Sequence, residues 1–403
     1  MMVNWNRCVL VTTTLILLST TANYLVTTTL ILLSKTANHQ YEYQPKTITT
    51  IARDIVNDDA TVDISVFQVG NKYNPAMSIF STDVLQRYGN GKLQFDVVGF
   101  SECNLNCTAG NDLADPTPLT HLPCLAVSKY CPHEQLKCAY PQCMTVILND
   151  EFCNRIQEPY DIRQYYTTNV NKERGYLPLG PRKDSWDSFQ LIKQKAGRGD
   201  QFTILPSSQR KFAFNAIFSQ NTHPTRQKLA NMIIETTKES AWPHPIFSVM
   251  AKQWSPDTKS NSTEQLNTND YMQVVLDSVF TLSPAGHNPE CFRLYEAIEA
   301  GSIPILTKDD MRGVWDHRGA KVIRCKDAME HWYTAPLVIL DMWDDLFPTV
   351  ERLLSDPVEL DKLQNNLLRW YDDYMHSTMT KFEDLILEHH HNITEEGMKT
   401  QIA

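Results

Sequence analysis

Residues 280–306 read FTLSPAGHNPECFRLYEAIEAGSIPIL and hold side chains whose types and spacing could do chemistry. An apolar run ending at Leu282 predicts a strand, and Ser283, Pro284, Gly286 and Asn288 mark a loop. A helix is expected from about Pro289, because proline suits a first turn. Its unpaired N–H groups and the positive end of its dipole would then face an anion such as a phosphate or diphosphate. Glu290, Arg293 and Glu296 follow at spacings of three, so they share one face, with Arg293 one turn inside the anion site. A guanidinium can clamp diphosphate oxygens, and a carboxylate can accept ribose hydroxyls. The same spacing also describes a surface ladder of ion pairs, and the three residues alone leave both open.

Such a loop needs a sheet beneath it. VDISVFQV (62–69), FDVVGF (95–100) and MTVILN (144–149) are short β-branched runs that read as buried strands. A cysteine-rich stretch, 101–143, interrupts them and reads as a cross-linked excursion. After the polar run KQKAGRGD (193–200), KFAFNAIF, HPIFSV, VFTL, IPIL and PLVIL alternate with the helical patterns TRQKLANMIIETTK, NDYMQVVLD and PECFRLYEAIEAG. Two further helical stretches, DDLFPTVERLL and DPVELDKLQNNLLRWYDDYM, close the unit. The alternation predicts α/β architecture: two Rossmann-like domains, mostly parallel, facing a cleft that suits a nucleotide-type ligand. The expected order is a cytoplasmic tail (1–7), a signal-anchor (8–34) and a stem (35–60). An N-terminal α/β domain (61–195) with a disulfide-rich insert (101–153) follows, then a C-terminal α/β domain (196–375) and a helix and tail (376–403).

The N-terminal assignment rests on a repeat. LVTTTLILLSTTAN (10–23) recurs as LVTTTLILLSKTAN (25–38), and no charged residue lies between Cys8 and Ser34. One copy is too short to cross a bilayer, whereas parts of both could supply the roughly 20 apolar residues required. A cleaved secretory signal is the alternative. Seven of the ten cysteines, Cys103, Cys107, Cys124, Cys131, Cys138, Cys143 and Cys153, fall within 51 positions and read as disulfides in an oxidising lumen. A metal site involving His121 and His133 is the competing reading, and the spacings lack paired CxxC units. Sequons at Asn106, Asn261 and Asn392 fit a lumenal body. A net charge of -10 with no long basic run speaks against nucleic-acid binding, and 42% hydrophobic residues against a disordered chain.

The run SPAGHNPECFRLYEAIEAGSIPIL resembles the donor-binding segment of exostosin-like glycosyltransferases, most closely the ribitol-phosphate xylosyltransferase (transmembrane protein five) family. VILNDEFCNRIQ, DIRQYY, YLPLGPR and RKFAFNAIFSQNTHPTR resemble, in the same order, that group's acidic turn, arginine strand, proline-glycine loop and arginine-headed helix. LDMWDDLFPTVERLLSDP and LQNNLLRWYDDY resemble its C-terminal helices, so the likeness runs from about Met144 to Leu387. It implies a GT-B-like fold with a UDP-sugar, UDP-xylose by analogy, on the second domain. Arg293 would then contact the diphosphate and Glu296 the ribose, with Glu290, Ser283, Gly286 and Asn288 nearby. Arg226, at the head of the 225–238 helix, would be a second cation, although a charge on an exposed helix start reads the same way. For the base that takes the acceptor's proton, Glu151 is the first candidate and Asp150 the second, both at the end of MTVILN, and a helix N-cap pair is the alternative.

The chain has no Asp-x-Asp triplet, the metal-holding pattern of another large transferase class, so neither metal nor cofactor is expected. Together these imply an inverting, metal-independent transferase in the Golgi membrane, single-pass with a lumenal catalytic domain. It would act on a glycan or glycoprotein acceptor such as ribitol phosphate. The endoplasmic reticulum, or secretion after cleavage, is the alternative location. A non-catalytic lumenal binding protein, or a transferase using another nucleotide sugar, remains the alternative function.

Overall fold

Short apolar runs closed by polar turns form parallel strands in both halves of the chain. The computed structural model describes residues 61–69, 87–101, 123–129, 131–148, 150, 157–164, 175–195, 203–238, 242–252, 266–312, 314–315, 321–322 and 329–402. The doubled apolar stretch, the stem, Glu151, Cys103, Cys107 and Cys153 lie outside these.

The first sheet contains β1 (Val62–Val69), β2 (Leu93–Ser101), β3 (Cys124–Ser128), β4 (Met144–Ile147), β5 (Ile162–Arg163) and β6 (Gly175–Tyr176). All pair in parallel, in the order β2-β1-β3-β4-β5-β6. The stretch read as an excursion therefore supplies β3, which lies between β1 and β4. CLAVS is buried along its whole length, and cysteine density masked an apolar run that belongs in a covered parallel sheet. Helix α1 (His133–Ala139) follows it. A disulfide joins Cys124 at the start of β3 to Cys143 just before β4, and Cys131 and Cys138 are disulfide-bonded as well.

After α2 (Lys183–Lys195) comes the second sheet, with β7 (Phe212–Ser219), β8 (Ile246–Ala251), β9 (Ser278–Leu282) and β10 (Ile303–Thr307). A short antiparallel pair, β11 (Val314–Trp315) and β12 (Lys321–Val322), precedes the last strand, β13 (Val338–Leu340). The order is β13-β10-β9-β7-β8, again parallel throughout. Between its strands run α3 (Pro224–Lys238), α4 (Thr268–Leu276), α5 (Phe292–Glu299) and α6 (Lys308–Met311). In both sheets the chain starts inside and winds outward in two directions. That creates a topological switch point, between β7 and β9 in the second sheet, where ligands bind outside the carboxyl ends of the strands.

Helices α7 (Leu346–Leu354) and α8 (Pro357–Ile402) close the chain. The 46-residue α8 serves both sheets. Gln364 accepts the Ser207 N–H at 2.9 Å near the second sheet, Glu383 accepts the Asn90 N–H at 2.7 Å, and Phe382 stacks on Phe95 of β2 at 5.9 Å. The larger core cluster spans both sheets and includes Ile64, Val146, Phe280, Ile305, Tyr371 and Phe382, while a smaller one with Val69, Ala126, Leu136 and Ile147 lies around β3 and β4. Burying each such large side chain contributes about 1.5–3 kcal/mol. Gly301 ends α5 in the left-handed region, φ 71°, with Ser302 N–H returning to Ala297 O at 2.8 Å. Among the described residues no helix is long and apolar enough to cross a membrane. Asn392 of the third sequon is exposed on α8.

Candidate functional site

The loop after β9 meets the loop after β7 at the switch point, and a buried arginine joins them. Arg226, in the first turn of α3, donates from Nη1 to Ser219 O at 3.2 Å, from Nε to Ala285 O at 2.8 Å and from Nη2 to Pro284 O at 3.0 Å. It is 6% exposed, which removes the exposed-helix-start alternative. Its donors hold the two walls of the crevice in register. Gly286 lets this happen, since a Cβ there would stand 3.2 Å from Arg226 Nη2. Burial, then the nearby Arg293 charge, depress the proton affinity of Arg226.

Helix α5 begins three residues later than expected, at Phe292 rather than Pro289. The Asn288 side chain takes the Glu290 N–H at 2.9 Å, which holds residues 288–290 in a turn, and Cys291 is extended at φ -136°. Cys291 makes no side-chain cap; the Leu294 N–H returns to Cys291 O at 3.0 Å, and the N–H groups of Phe292 and Arg293 are the ones placed to meet an anion. Its thiol is free, with Sγ 3.5 Å from Ser283 Oγ. Ser283 itself is buried, and its N–H bonds Ile305 O at 2.9 Å.

Arg293 differs from Arg226 in what it touches. Its Nε and Nη1 are buried and have no hydrogen-bond partner among the described residues. The flanking glutamates do not pair with it. Glu290 is 1% exposed, and its Oε1 accepts Tyr295 OH at 2.5 Å and Tyr176 OH at 2.8 Å, with His331 Nε2 at 3.4 Å. Glu296 is 4% exposed, and its Oε2 accepts Tyr271 OH at 2.6 Å while Arg182 N–H approaches Oε1 at 3.4 Å. Burial first, and then the adjacent glutamate, hold the hydroxyls of Tyr176, Tyr295 and Tyr271 protonated well above the usual phenol range. These are not a surface ladder of ion pairs. The carboxylates tie this segment to residues 176–182, next to the first sheet, and leave Nε and Nη1 of the guanidinium between them without a partner among the described residues.

Two further titratable groups border the loops. His223 is buried beside Arg226 and bonds Thr225 Oγ1 at 2.6 Å. Burial, then the charges of Arg226 and His287, push its imidazole down to about 4. Asp310, past the end of β10, is 1% exposed and accepts Trp343 Nε1–H at 3.0 Å. Burial pushes its carboxyl up to about 6. Asp150 lies three residues past the end of β4 and is half-buried, whereas Glu151 lies outside the described residues. Among the described residues no group of three His, Cys, Asp or Glu side chains is placed to hold a metal ion. A cavity of about 220 Å³ lined by Ser207, Arg210, Lys211 and His244 opens at the opposite, amino ends of β7–β9, away from these groups.

Residues 198–390 match the family model described as RXYLT1 C-terminal domain. The human ribitol-5-phosphate xylosyltransferase 1 is 26% identical over 188 residues, covering 44% of this chain and 38% of that protein. Its Danio rerio counterpart is 25% identical over 264 residues, 62% of this chain and 55% of that protein. The chain is close to the ribitol-phosphate xylosyltransferase family. It spans between 38% and 55% of the length of these two relatives. An alpha,alpha-trehalose 6-phosphate synthase structure from Burkholderia multivorans superposes on 85% of this chain with TM-score 0.45 and 9% identity, covering 99% of that chain.

The family match covers the whole α3–β9–α5 crevice. Sequence reasoning placed Arg293, Arg226, Ser283, Gly286, Asn288, Glu290 and Glu296 in one locality, and the fold brings them to the carboxyl ends of β7 and β9. It missed Tyr176, Tyr271, His331, Trp343 and Asp310. Tyr176 lies within YLPLGPR, Tyr271 within NDYMQVVLD and Trp343 within LDMWDDLFPTVERLLSDP, yet nothing in their spacing marks them for the site, and Asp310 in the run KDD reads as any exposed acidic turn.

Proposed function

We propose that this chain is a glycosyltransferase that moves a sugar, xylose from UDP-xylose, onto a glycan acceptor such as ribitol phosphate on a glycoprotein. The observation that carries the proposal is Arg293, whose Nε and Nη1 are buried and unpartnered among the described residues, beside a second guanidinium. Buried donors left without acceptors are costly, and a diphosphate supplies the acceptors. The names of the human and zebrafish relatives support the xylosyl donor.

In the proposed reaction the acceptor oxygen attacks the anomeric carbon and the bond to the diphosphate breaks on the opposite face, inverting the configuration. The acceptor proton passes to Glu151, or to Asp150 in its place, and the electron pair of the broken bond leaves with UDP. Arg293, Arg226 and the first N–H groups of α5 neutralise the charge that develops on the diphosphate, without a metal. Glu296 Oε1, approached among the described residues by the Arg182 N–H at 3.4 Å, accepts a ribose hydroxyl. The chain acts as a GT-B-like enzyme in the Golgi lumen, behind an anchor within residues 8–34.

The test is transfer by the full-length chain from a panel of nucleotide sugars, with and without a chelator. UDP-xylose should turn over in both conditions. Loss of turnover on adding EDTA overturns metal independence. Arg293→Ala should abolish both UDP binding and turnover. A variant that keeps a glycan partner while the wild type turns over no sugar would favour the binding-protein alternative.

A further inference from the structure

Glu296 is the α5 carboxylate that the proposed reaction uses, and its place is fixed from outside that helix. It lies one turn past Arg293 and is 4% exposed. Its two oxygens are held unequally. Tyr271 OH donates to Oε2 at 2.6 Å, whereas the Arg182 N–H reaches Oε1 only at 3.4 Å, long for such a bond. Tyr271 stands near the start of α4, its ring packed against the core and its N–H bonded to Asn267 O at 2.9 Å. Asn267 caps that helix, with Oδ1 accepting the Asp270 N–H at 2.9 Å. On the other side Asp184 Oδ1 accepts Arg182 Nε–H at 2.9 Å, and its Oδ2 accepts the Thr268 hydroxyl at 3.5 Å. The two partners of Glu296 are therefore tied to each other. The ring runs from Tyr271 along α4 to Thr268, through Asp184 to Arg182, and back to the carboxylate.

We propose that Tyr271 is a positioning residue for ribose recognition: by holding Oε2 of Glu296 it presents Oε1 to the hydroxyls of the donor's ribose. The inference rests on the donor-site reading given above. The terminal torsion of a glutamate is broad and two-fold, so an untethered carboxylate would exchange its oxygens. The bond from Tyr271 removes that freedom. An ionised carboxylate offers about four lone-pair sites, and the donors among the described residues fill one on each oxygen. Acceptor capacity thus remains on a charge that burial makes costly, and a vicinal diol has the donors to meet it. Packing alone would be served by phenylalanine, which fills the same space without a buried hydroxyl. Ribose recognition thereby depends on a residue of α4, 25 positions from Glu296 and outside the loop that carries Arg293.

The experiment titrates the full-length wild type and Tyr271→Phe with UDP, 2′-deoxy-UDP and 3′-deoxy-UDP by calorimetry. The wild type should bind UDP about tenfold to a hundredfold more tightly than at least one deoxy analogue, as a hydroxyl bonded to a carboxylate requires. Tyr271→Phe should bind UDP about fivefold more weakly and the rejected analogue within about twofold of wild type, so that the ratio falls. Lost packing would instead weaken all three ligands alike. Asp184→Asn, at an exposed position, slackens the same ring. It should lower the ratio by a smaller factor, and it carries the test if Tyr271→Phe does not fold. An unchanged ratio, or an equal loss for all three ligands, overturns the inference and leaves Glu296 at the ribose. A wild type that binds UDP and both analogues equally removes Glu296 from the ribose and this inference with it, while the diphosphate site stands. No UDP binding by the wild type sinks the donor-site reading and this inference together.

Discussion

Replacing each of the two crevice arginines by methionine should move stability in opposite directions. Arg226 donates to the carbonyls of Ser219, Ala285 and Pro284. Methionine keeps most of the stem but leaves the Ala285 and Pro284 carbonyls without donors, each costing about 1–3 kcal/mol if water cannot reach it, while Ser219 O keeps only the Thr222 hydroxyl at 3.4 Å. With partial relaxation Arg226→Met should cost about 3–5 kcal/mol. Arg293 presents two buried nitrogens with no acceptor among the described residues and adds a charge that depresses the proton affinity of Arg226. Removing it relieves both penalties, and because the residue is half-buried the gain should be about 1–2 kcal/mol. In a melt without ligand that is a rise of roughly 2–4 °C. Saturating UDP should reverse the comparison: at a hundredfold excess over Kd it adds about 2.7 kcal/mol to a protein that binds it and nothing to one that does not. The assay is a melting curve for wild type, Arg226→Met and Arg293→Met, each with and without UDP. An Arg293→Met protein that melts several degrees below wild type and still gains from UDP would show that its nitrogens are satisfied structurally, and the account of the crevice would fail.

Other outcomes follow from single positions. Gly301→Ala puts a Cβ 2.4 Å from Ile204 Cγ2 and 2.6 Å from Arg210 Nη2 at a φ of 71°, so strain and overpacking should together cost about 2–5 kcal/mol by denaturant titration. Replacing both Cys124 and Cys143 by alanine opens a loop of sequence separation 19 and should cost about 3 kcal/mol in the same measurement. Burial raises the Asp310 carboxyl from 3.8 to about 6, so between those values the folded state binds more protons than the unfolded one and stability falls as pH rises. Asp310→Asn should therefore gain up to about 3 kcal/mol on wild type at pH 7 and lose that advantage near pH 4. A constant difference across that range would refute the assignment.

Much of the scaffold could be read along the chain, because its signals are local. Runs such as VFTL and IPIL are continuously apolar, and the structure buries β9 and β10 along their full length, as parallel strands covered on both faces require. Helix ends were legible where the stop is chemical, as at Gly301, and displaced where a side chain intervened, as when Asn288 captured the Glu290 N–H. CLAVS was hidden because cysteine density suggested an excursion, whereas two of those cysteines flank adjacent strands and staple them.

By itself the sequence determined two parallel α/β series, and that Arg226, Arg293 and the Ser283–Asn288 loop fall near the ends of neighbouring strands. Periodicity and turn chemistry act over a few residues, so they survive without a fold. Only the tertiary structure decided what each charge does. Glu290 meets Tyr176 across 114 residues, and Arg226 meets Pro284 across 58. Those pairings assign one arginine to the walls and leave Nε and Nη1 of the other without an acceptor among the described residues. The physical reason is desolvation: a charged side chain acquires its role from the partners that replace water, and those partners are chosen by the fold, not by spacing along the chain.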